Sequence, residues 1–463
     1  MPEKQQGRPK GRPIIMRESE TLSRKRCNMS ISELDRMNKK PCPCGKEHSF
    51  DSDVIVGEGV INQLPEVLDK FSAKKVYLIA DINTYAAAGE EVCKILEESG
   101  ICVHKYVFNQ KHLHPDETSV GLAIMNIDMS VDAVVGVGSG VINDISKIVA
   151  NVSNKPYIIV GTAPSMDGYA SATSSMTRDG FKISLDSKCA DVIIGDVNIL
   201  SKAPLKLFAT GLGDMLAKYV SICEWRIANI VVGEYYCEEV ADLVRKSLKK
   251  CVDNAEGLLK GDKQAVAAVF EGLVISGVAM NFAGCSRPAS GIEHYFSHLW
   301  DMRSVEFGTP AELHGIQCAL GTLIAIRLYE KIKEIKPDRE KALKSAEKFS
   351  FDLWSEELRK FLGKGAENMI ALEAEQKKYD SEKHKKRLDL IIENWDEILK
   401  IIDEELPSSK YIAELMDKFS IPKTMEDIGV GSDIYETTFL ATKDIRDKYI
   451  LSRLCWDLGI DIL

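Results

Sequence analysis

The 463-residue chain lacks any stretch of about 18 uninterrupted apolar residues, so no membrane span is expected. Its opening, MPEKQQGRPKGRPIIMRESETLSRKRC, has no sustained apolar run, so no secretory signal is expected. It has no excess of base: 60 Lys and Arg face 70 Asp and Glu, a net charge of −10. That balance weighs against a nucleic-acid partner, because phosphate recognition along a polyanion needs a net basic surface. A small anionic ligand, held by a few local donors, stays open. The 12 cysteines are scattered and form no dense framework, which suits reduced thiols in a cytoplasmic enzyme. A G-x-S-x-G elbow is absent, so serine hydrolase chemistry has no support. The H-E-x-x-H pattern of zinc proteases is absent too. Tyr295 follows His294, and Glu293, just before that histidine, is expected to face elsewhere.

What is present divides the chain in three. Residues 1–50 carry twelve Lys and Arg against six Asp and Glu and read as a basic, flexible extension. Within them Cys42, Cys44 and His48 in PCPCGKEH place three soft donors in seven residues. A structural zinc site needs a fourth, and none is evident nearby, so a Gly-containing turn is the expectation. Residues 51–202 alternate short strand-like runs (KKVYLIA, ICVHKYVF, VDAVVGVG, KPYIIVGT, KISLDS, ADVIIGD) with helical stretches. Nearly continuous apolar strands in strand–helix–strand order predict a parallel sheet buried on both faces, a nucleotide-binding α/β domain. From 203 to 463 helical spacing dominates, near 208–229, 233–258, 264–282, 291–300 and 314–332, and through a highly charged region at 333–405. The fold class is therefore an α/β N-terminal domain followed by an all-α domain, with ligands expected in the cleft beyond the carboxyl ends of the strands.

Four constellations carry chemistry. In GVGSGVINDISK a glycine-rich turn leaves a strand and opens a helix, so backbone N–H groups there face a diphosphate, with Gly138, Ser139, Gly140 and Asn143 as contacts. Val141 stands where a Rossmann fingerprint has its third glycine, and tight strand–helix packing explains the glycines equally well. Asp81, directly after KKVYLIA, reads either as an acceptor for an adenosine ribose or as a helix N-cap. The loop GTAPSMDGYASATSS offers Thr162, Ser165, Asp167 and Ser171 where a cleft wall is expected. The last joins Asp214, in GLGDMLAKY behind a Gly-x-Gly that lets another group approach, with His294 and His298 of SGIEHYFSH and His314 of ELHGIQ. Three of only eight histidines fall within 21 residues. Two imidazoles and a carboxylate hold a divalent metal with a coordination position left open.

Together these motifs resemble the glycerol-1-phosphate dehydrogenases of the iron-containing alcohol dehydrogenase and dehydroquinate synthase superfamily. The glycine cluster followed by Asp144 and Lys147, the loop TAPSMDGYAS, GLGDMLAKY, SGIEHYFSH and HGIQ occur in the family's order, over about residues 52–325. The resemblance implies reversible hydride transfer between NAD(H) or NADP(H) and dihydroxyacetone phosphate, giving sn-glycerol 1-phosphate, in a cytoplasmic homodimer of glycerophospholipid metabolism. Carried over, Asp81 meets the ribose, and Gly138, Ser139, Gly140, Val141, Ile142 and Asn143 meet the diphosphate. Thr162, Ala163, Pro164, Ser165 and Ser171 line the nicotinamide side. Asp214, His294 and His314 ligate the metal (Zn2+, Ni2+ or Fe2+), and Asp167, His298 and Asp214 contact substrate. The departures are Ser139 and Val141 within the usual G-G-G-S run, the N-terminal extension and a C-terminal region without an assigned motif. Three other readings are weighed: a dehydrogenase for glycerol or a related polyol, a dehydroquinate-synthase-like lyase, and a dinucleotide-binding sensor without turnover.

Overall fold

The computed structural model describes residues 34–110, 113–178 and 181–463. Six parallel strands form one sheet in the order β1 (Asp53–Gly57), β8 (Val192–Asp196), β5 (Tyr157–Gly161), β4 (Ala133–Gly138), β2 (Lys75–Asp81), β3 (Cys102–Phe108). Because side chains alternate along a strand, the apolar runs serve two cores at once. Val76, Leu78, Ala80, Val135 and Ile158 pack on one face with Val92 and Leu96 of the Glu90–Glu98 helix. Tyr77, Ile79, Val134 and Ile159 pack on the other with Ile142, Ile145 and Val149 of the Gly140–Ser153 helix.

The helical half follows from the Leu205–Val232 helix onward and includes Glu238–Asp253, Lys263–Ala283, Ile292–Phe307 and His314–Ile332. The Lys263–Ala283 helix is long and apolar enough to cross a membrane, but 78% of its most apolar window is buried, as in a core helix. The expected charged region folds into shorter helices, among them Phe351–Leu362, Ser381–Glu393 and Trp395–Glu405.

Two expectations change. The loop after β5 contains a strand, β6 (Thr173–Arg178), paired antiparallel with β7 (Phe181–Asp186) as a hairpin apart from the main sheet. The segment expected as a flexible extension is, from residue 34, packed on the body. Leu34, His48 and Phe50 are buried, and the Asn38 amide bonds both the N–H and the carbonyl of Phe50. The basic stretch 1–33 lies outside the described residues.

Candidate active site

The glycine-rich turn stands at the carboxyl end of β4, with Ser139 as N-cap of the Gly140–Ser153 helix. A Cβ built on Gly138 would lie 2.5 Å from Ile142 Cβ, so this glycine serves strand–helix packing. One built on Gly140 meets nothing nearer than Met166 Cγ at 3.5 Å, an ordinary contact, and the Gly140 N–H donates to the Ser139 hydroxyl at 2.7 Å. Val141 is half-buried beside it and Ile142 is buried in the core. Asn143 is placed otherwise than expected for a diphosphate contact. Its side chain is fully buried, donating to the Gly168 carbonyl (3.0 Å) and accepting from the Tyr157 hydroxyl (3.0 Å), so its amide supports the neighbouring loop. Lys147, also buried, does the same through the carbonyls of Gly168 (2.7 Å) and Thr173 (3.0 Å).

That loop runs from β5 to β6 and joins the two halves. Thr162 N–H donates to the Gly138 carbonyl, Ser165 and Ser139 hydroxyls lie 2.9 Å apart, and the Ala163 carbonyl accepts from Tyr169. Ser171 is turned into its own loop, accepting from Thr173 N–H at 3.1 Å. The Gly-x-Gly before Asp214 does let other groups approach. A Cβ on Gly211 would fall 1.8 Å from the Pro164 carbonyl oxygen, and one on Gly213 2.2 Å from that of Gly315. The Leu205–Val232 helix is thereby pressed against both the loop and the His314–Ile332 helix. Asp81, at the end of β2, is a helix N-cap, with Oδ1 accepting from Asn83 and Thr84 N–H.

Beyond the loop the helices bring Asp214, His294, His298 and His314 together. His294 Nε2 is 3.7 Å from Asp214 Oδ1, and its ring centroid lies 5.1 Å from that of His314 and 6.3 Å from that of His298. Asp167 closes the group: its N–H donates to Asp214 Oδ2 at 2.9 Å. Burial drives the His294 imidazole well below its usual pKa, with the charge of His314 adding to the effect, so it is neutral and free to ligate. Burial lowers His298 likewise, with the positive charges of Arg446 and Lys182 among the further causes. Burial thus favours the neutral His298 ring, and its buried Nδ1 has no hydrogen-bond partner among the described residues. The donor set, two imidazoles and a carboxylate converging from three helices, fits a divalent metal.

Three neighbours were not expected from the sequence. Glu293 does not face elsewhere: its Oε1 lies 2.9 Å from His294 Nδ1, which turns Nε2 toward Asp214. Adjacent helix residues ordinarily diverge, but Glu293 sits in the first turn and reaches back, also accepting from Gly291 N–H. Lys218, one turn after Asp214 and fully buried, donates to Asp214 Oδ1 (2.9 Å) and Asp167 Oδ2 (2.8 Å). Burial works against its charge, yet the two carboxylates hold its pKa above the usual lysine value. Cys318 Sγ lies 3.5 Å from His314 Nε2, and the donor atoms of His294, His314 and Cys318 all lie within 4.8 Å of one another. Burial pushes the Cys318 thiol well up and raises the Asp214 carboxyl too, so both face the two imidazoles as donors.

Residues 55–204 match the sequence pattern of the iron-containing alcohol dehydrogenase family. The glycerol-1-phosphate dehydrogenase of Halalkalibacterium halodurans is 33% identical over 294 residues, covering 62% of this chain and 74% of that protein. The glycerol-1-phosphate dehydrogenase of Pyrococcus furiosus is 34% identical over 290 residues, covering 62% and 82%. Among solved structures, a probable glycerol dehydrogenase from Sinorhizobium meliloti superposes with a TM-score of 0.57 over 89% of this chain and 95% of that one. At 16% identity this is a likeness of fold.

Proposed function

The chain belongs to the glycerol-1-phosphate dehydrogenase family, and on that premise we propose that it reduces dihydroxyacetone phosphate reversibly at C2, with NADH or NADPH and one divalent metal, to sn-glycerol 1-phosphate. The observation that carries this reading is the meeting of Asp214, His294 and His314 at the loop that also reaches the glycine turn of β4. When bound, the metal supplies Lewis acidity toward the ketone oxygen and the nicotinamide supplies the hydride.

The chain's own residues do the rest. Asp214, His294 and His314 hold the metal, Glu293 fixes the His294 tautomer, and the Ser297 hydroxyl, 2.9 Å from His314 Nδ1, steadies that ring. Lys218 pins Asp167 beside Asp214, so both carboxylates are set before substrate arrives. Asp167 and His298 contact the substrate. Arg446 and Lys182, whose charges act on His298, give that end of the cleft a positive potential suited to a phosphate. Gly138–Ile142 cradle the diphosphate mainly through backbone N–H groups, Asp81 takes the ribose, and the 162–165 segment with Ser171 lines the nicotinamide side. The α/β and helical halves divide near residue 203, and a cytoplasmic homodimer completes the reading.

The test is turnover of dihydroxyacetone phosphate against unphosphorylated dihydroxyacetone, with NADH and NADPH, after loading with zinc, nickel or ferrous iron. Preference for the phosphorylated ketone is the expected outcome. Absence of nicotinamide oxidation with all three metals, or preference for glycerol over glycerol 1-phosphate in the reverse direction, would sink the proposal.

A further inference from the structure

We propose a second metal site, a closed structural Zn2+ centre formed by Cys42, Cys44, His48 and Cys237. Pro41 and Glu47 pair as a tight hairpin with Cys42 and Cys44 at its tip, turned by Gly45 at φ 82°. The Gly45 N–H closes the turn on the Cys42 carbonyl at 2.9 Å, and His48 stands on the return arm. The fourth donor, absent from the surrounding sequence, comes from Cys237, the N-cap residue of the Glu238–Asp253 helix.

The distances match a tetrahedron. Cys42 Sγ to Cys237 Sγ is 3.6 Å, and His48 Nε2 lies 3.5 Å from both Cys44 Sγ and Cys237 Sγ. All four donor atoms lie within 4.8 Å of one another. With Zn–S of about 2.3 Å and Zn–N of about 2.0–2.1 Å, tetrahedral edges come to roughly 3.8 Å between sulfurs and 3.5 Å between sulfur and nitrogen. A disulfide would need sulfurs about 2.05 Å apart.

The tautomer of His48 is a separate observation. Its Nδ1 is 2.7 Å from the Phe282 carbonyl, which can only accept, so Nδ1 carries the proton and the lone pair of Nε2 faces the three sulfurs. The Tyr235 hydroxyl donates to Cys44 Sγ at 3.2 Å, and backbone N–H groups of Cys44, Lys46 and Val240 bond the sulfurs of Cys42, Cys44 and Cys237. Thiolates in a metal site are held by such donors. Zinc entry displaces the three thiol protons to solvent and leaves no position open for substrate, so the centre is a clasp. It ties the 34–50 segment to a helix start 189 residues beyond His48.

The experiment uses the full chain with cobalt as the spectroscopic probe. To silence the open site, His294→Ala and His314→Ala are combined. This variant is expected to take up one equivalent of Co2+ and show thiolate-to-cobalt charge-transfer absorption. Adding Cys42→Ser and Cys44→Ser should abolish the band, whereas Cys237→His, which keeps four ligands, should retain one bound metal with a weaker band and so separates ligand loss from misfolding. A band missing from the His294→Ala/His314→Ala variant, a band insensitive to the serine substitutions, or a Cys42–Cys237 disulfide in freshly purified protein would each overturn the assignment. Turnover of dihydroxyacetone phosphate is read separately, so failure here leaves the catalytic reading standing.

Discussion

Two groups of side chains with metal-ligating donors stand out among the described residues, and the roles proposed for them, reactive centre and clasp, follow from a difference in donor set. The Asp214–His294–His314 group has hard and borderline donors. Its carboxylate is shared with Lys218, and it adjoins a half-buried loop rich in small and hydroxylic residues. The Cys42–Cys44–His48–Cys237 group has soft donors filling four tetrahedral positions, with Tyr235 and backbone N–H groups around the sulfurs. An incomplete donor set leaves room for a substrate oxygen, while a complete one fixes chain segments. The contrast teaches that the same elements of chemistry, imidazole plus anion, are sorted into function by what remains uncoordinated.

The sharpest way to break this contrast is to remove one ligand from each group. His314→Ala should lower kcat/KM for dihydroxyacetone phosphate by about 10³-fold or more and abolish metal uptake at that site, with NAD affinity nearly unchanged. Steady-state kinetics and isothermal titration check this, and parallel loss of NAD binding would misplace the residue. Cys44→Ser should do the opposite. Turnover of the zinc-loaded protein stays within about twofold of wild type, while the thermal midpoint falls by roughly 5 °C as the clasp to the 34–50 segment opens. If Cys44→Ser removes activity with no loss of stability, the division of roles between the two groups fails.

The two groups also differed in how far they could be read from sequence. His294 and His298 stand four apart, a spacing that predicts a shared helix face, whereas Asp214 and His314 lie on two other helices and join them only through the motifs GLGDMLAKY and HGIQ that the family resemblance rests on. The cysteine group was half visible, because Cys42, Cys44 and His48 are neighbours, but Cys237 lies 195 residues from Cys42 and no local pattern connects them. The parallel sheet was legible for a physical reason: strands such as Val76–Ala80 are buried on both faces and therefore continuously apolar. Strand β6 was not, since Thr173–Arg178 is polar and reads as loop. Lys218 follows Asp214 at the i,i+4 spacing of an ordinary surface ion pair, and only burial reveals its place between two carboxylates. Glu293 faces its neighbour His294, against expectation, because it sits in the first turn of its helix and reaches back, which adjacency in sequence does not show.

Glu293 accordingly gives an intermediate effect, confined to the open group. Glu293→Gln retains the shape but replaces the buried carboxyl facing His294 Nδ1, whose pKa burial raises to about 7, and it should weaken metal affinity at that group by about 10–100-fold. Competition with a chromophoric chelator measures the change, and the cobalt–thiolate band of the cysteine group should not move. An unaltered affinity would mean that Glu293 does not position the ligand.

The smallest effect is expected at Asp81, where structural and functional readings coincide on one carboxylate. Oδ1 is occupied by the N–H groups of Asn83 and Thr84, so the cap is real, and the proposed ribose contact must use what remains. Asp81→Asn separates the two, because asparagine caps a helix about as well as aspartate but no longer repels a 2′-phosphate. The thermal midpoint should hold while the NAD-over-NADP preference in kcat/KM falls. Asp81→Ala should lose both, with about 1 kcal/mol of stability removed with the cap. Should Asp81→Asn leave the cofactor ratio unchanged, the acid at the end of β2 is a cap and nothing more, and cofactor choice is made elsewhere along the strand ends.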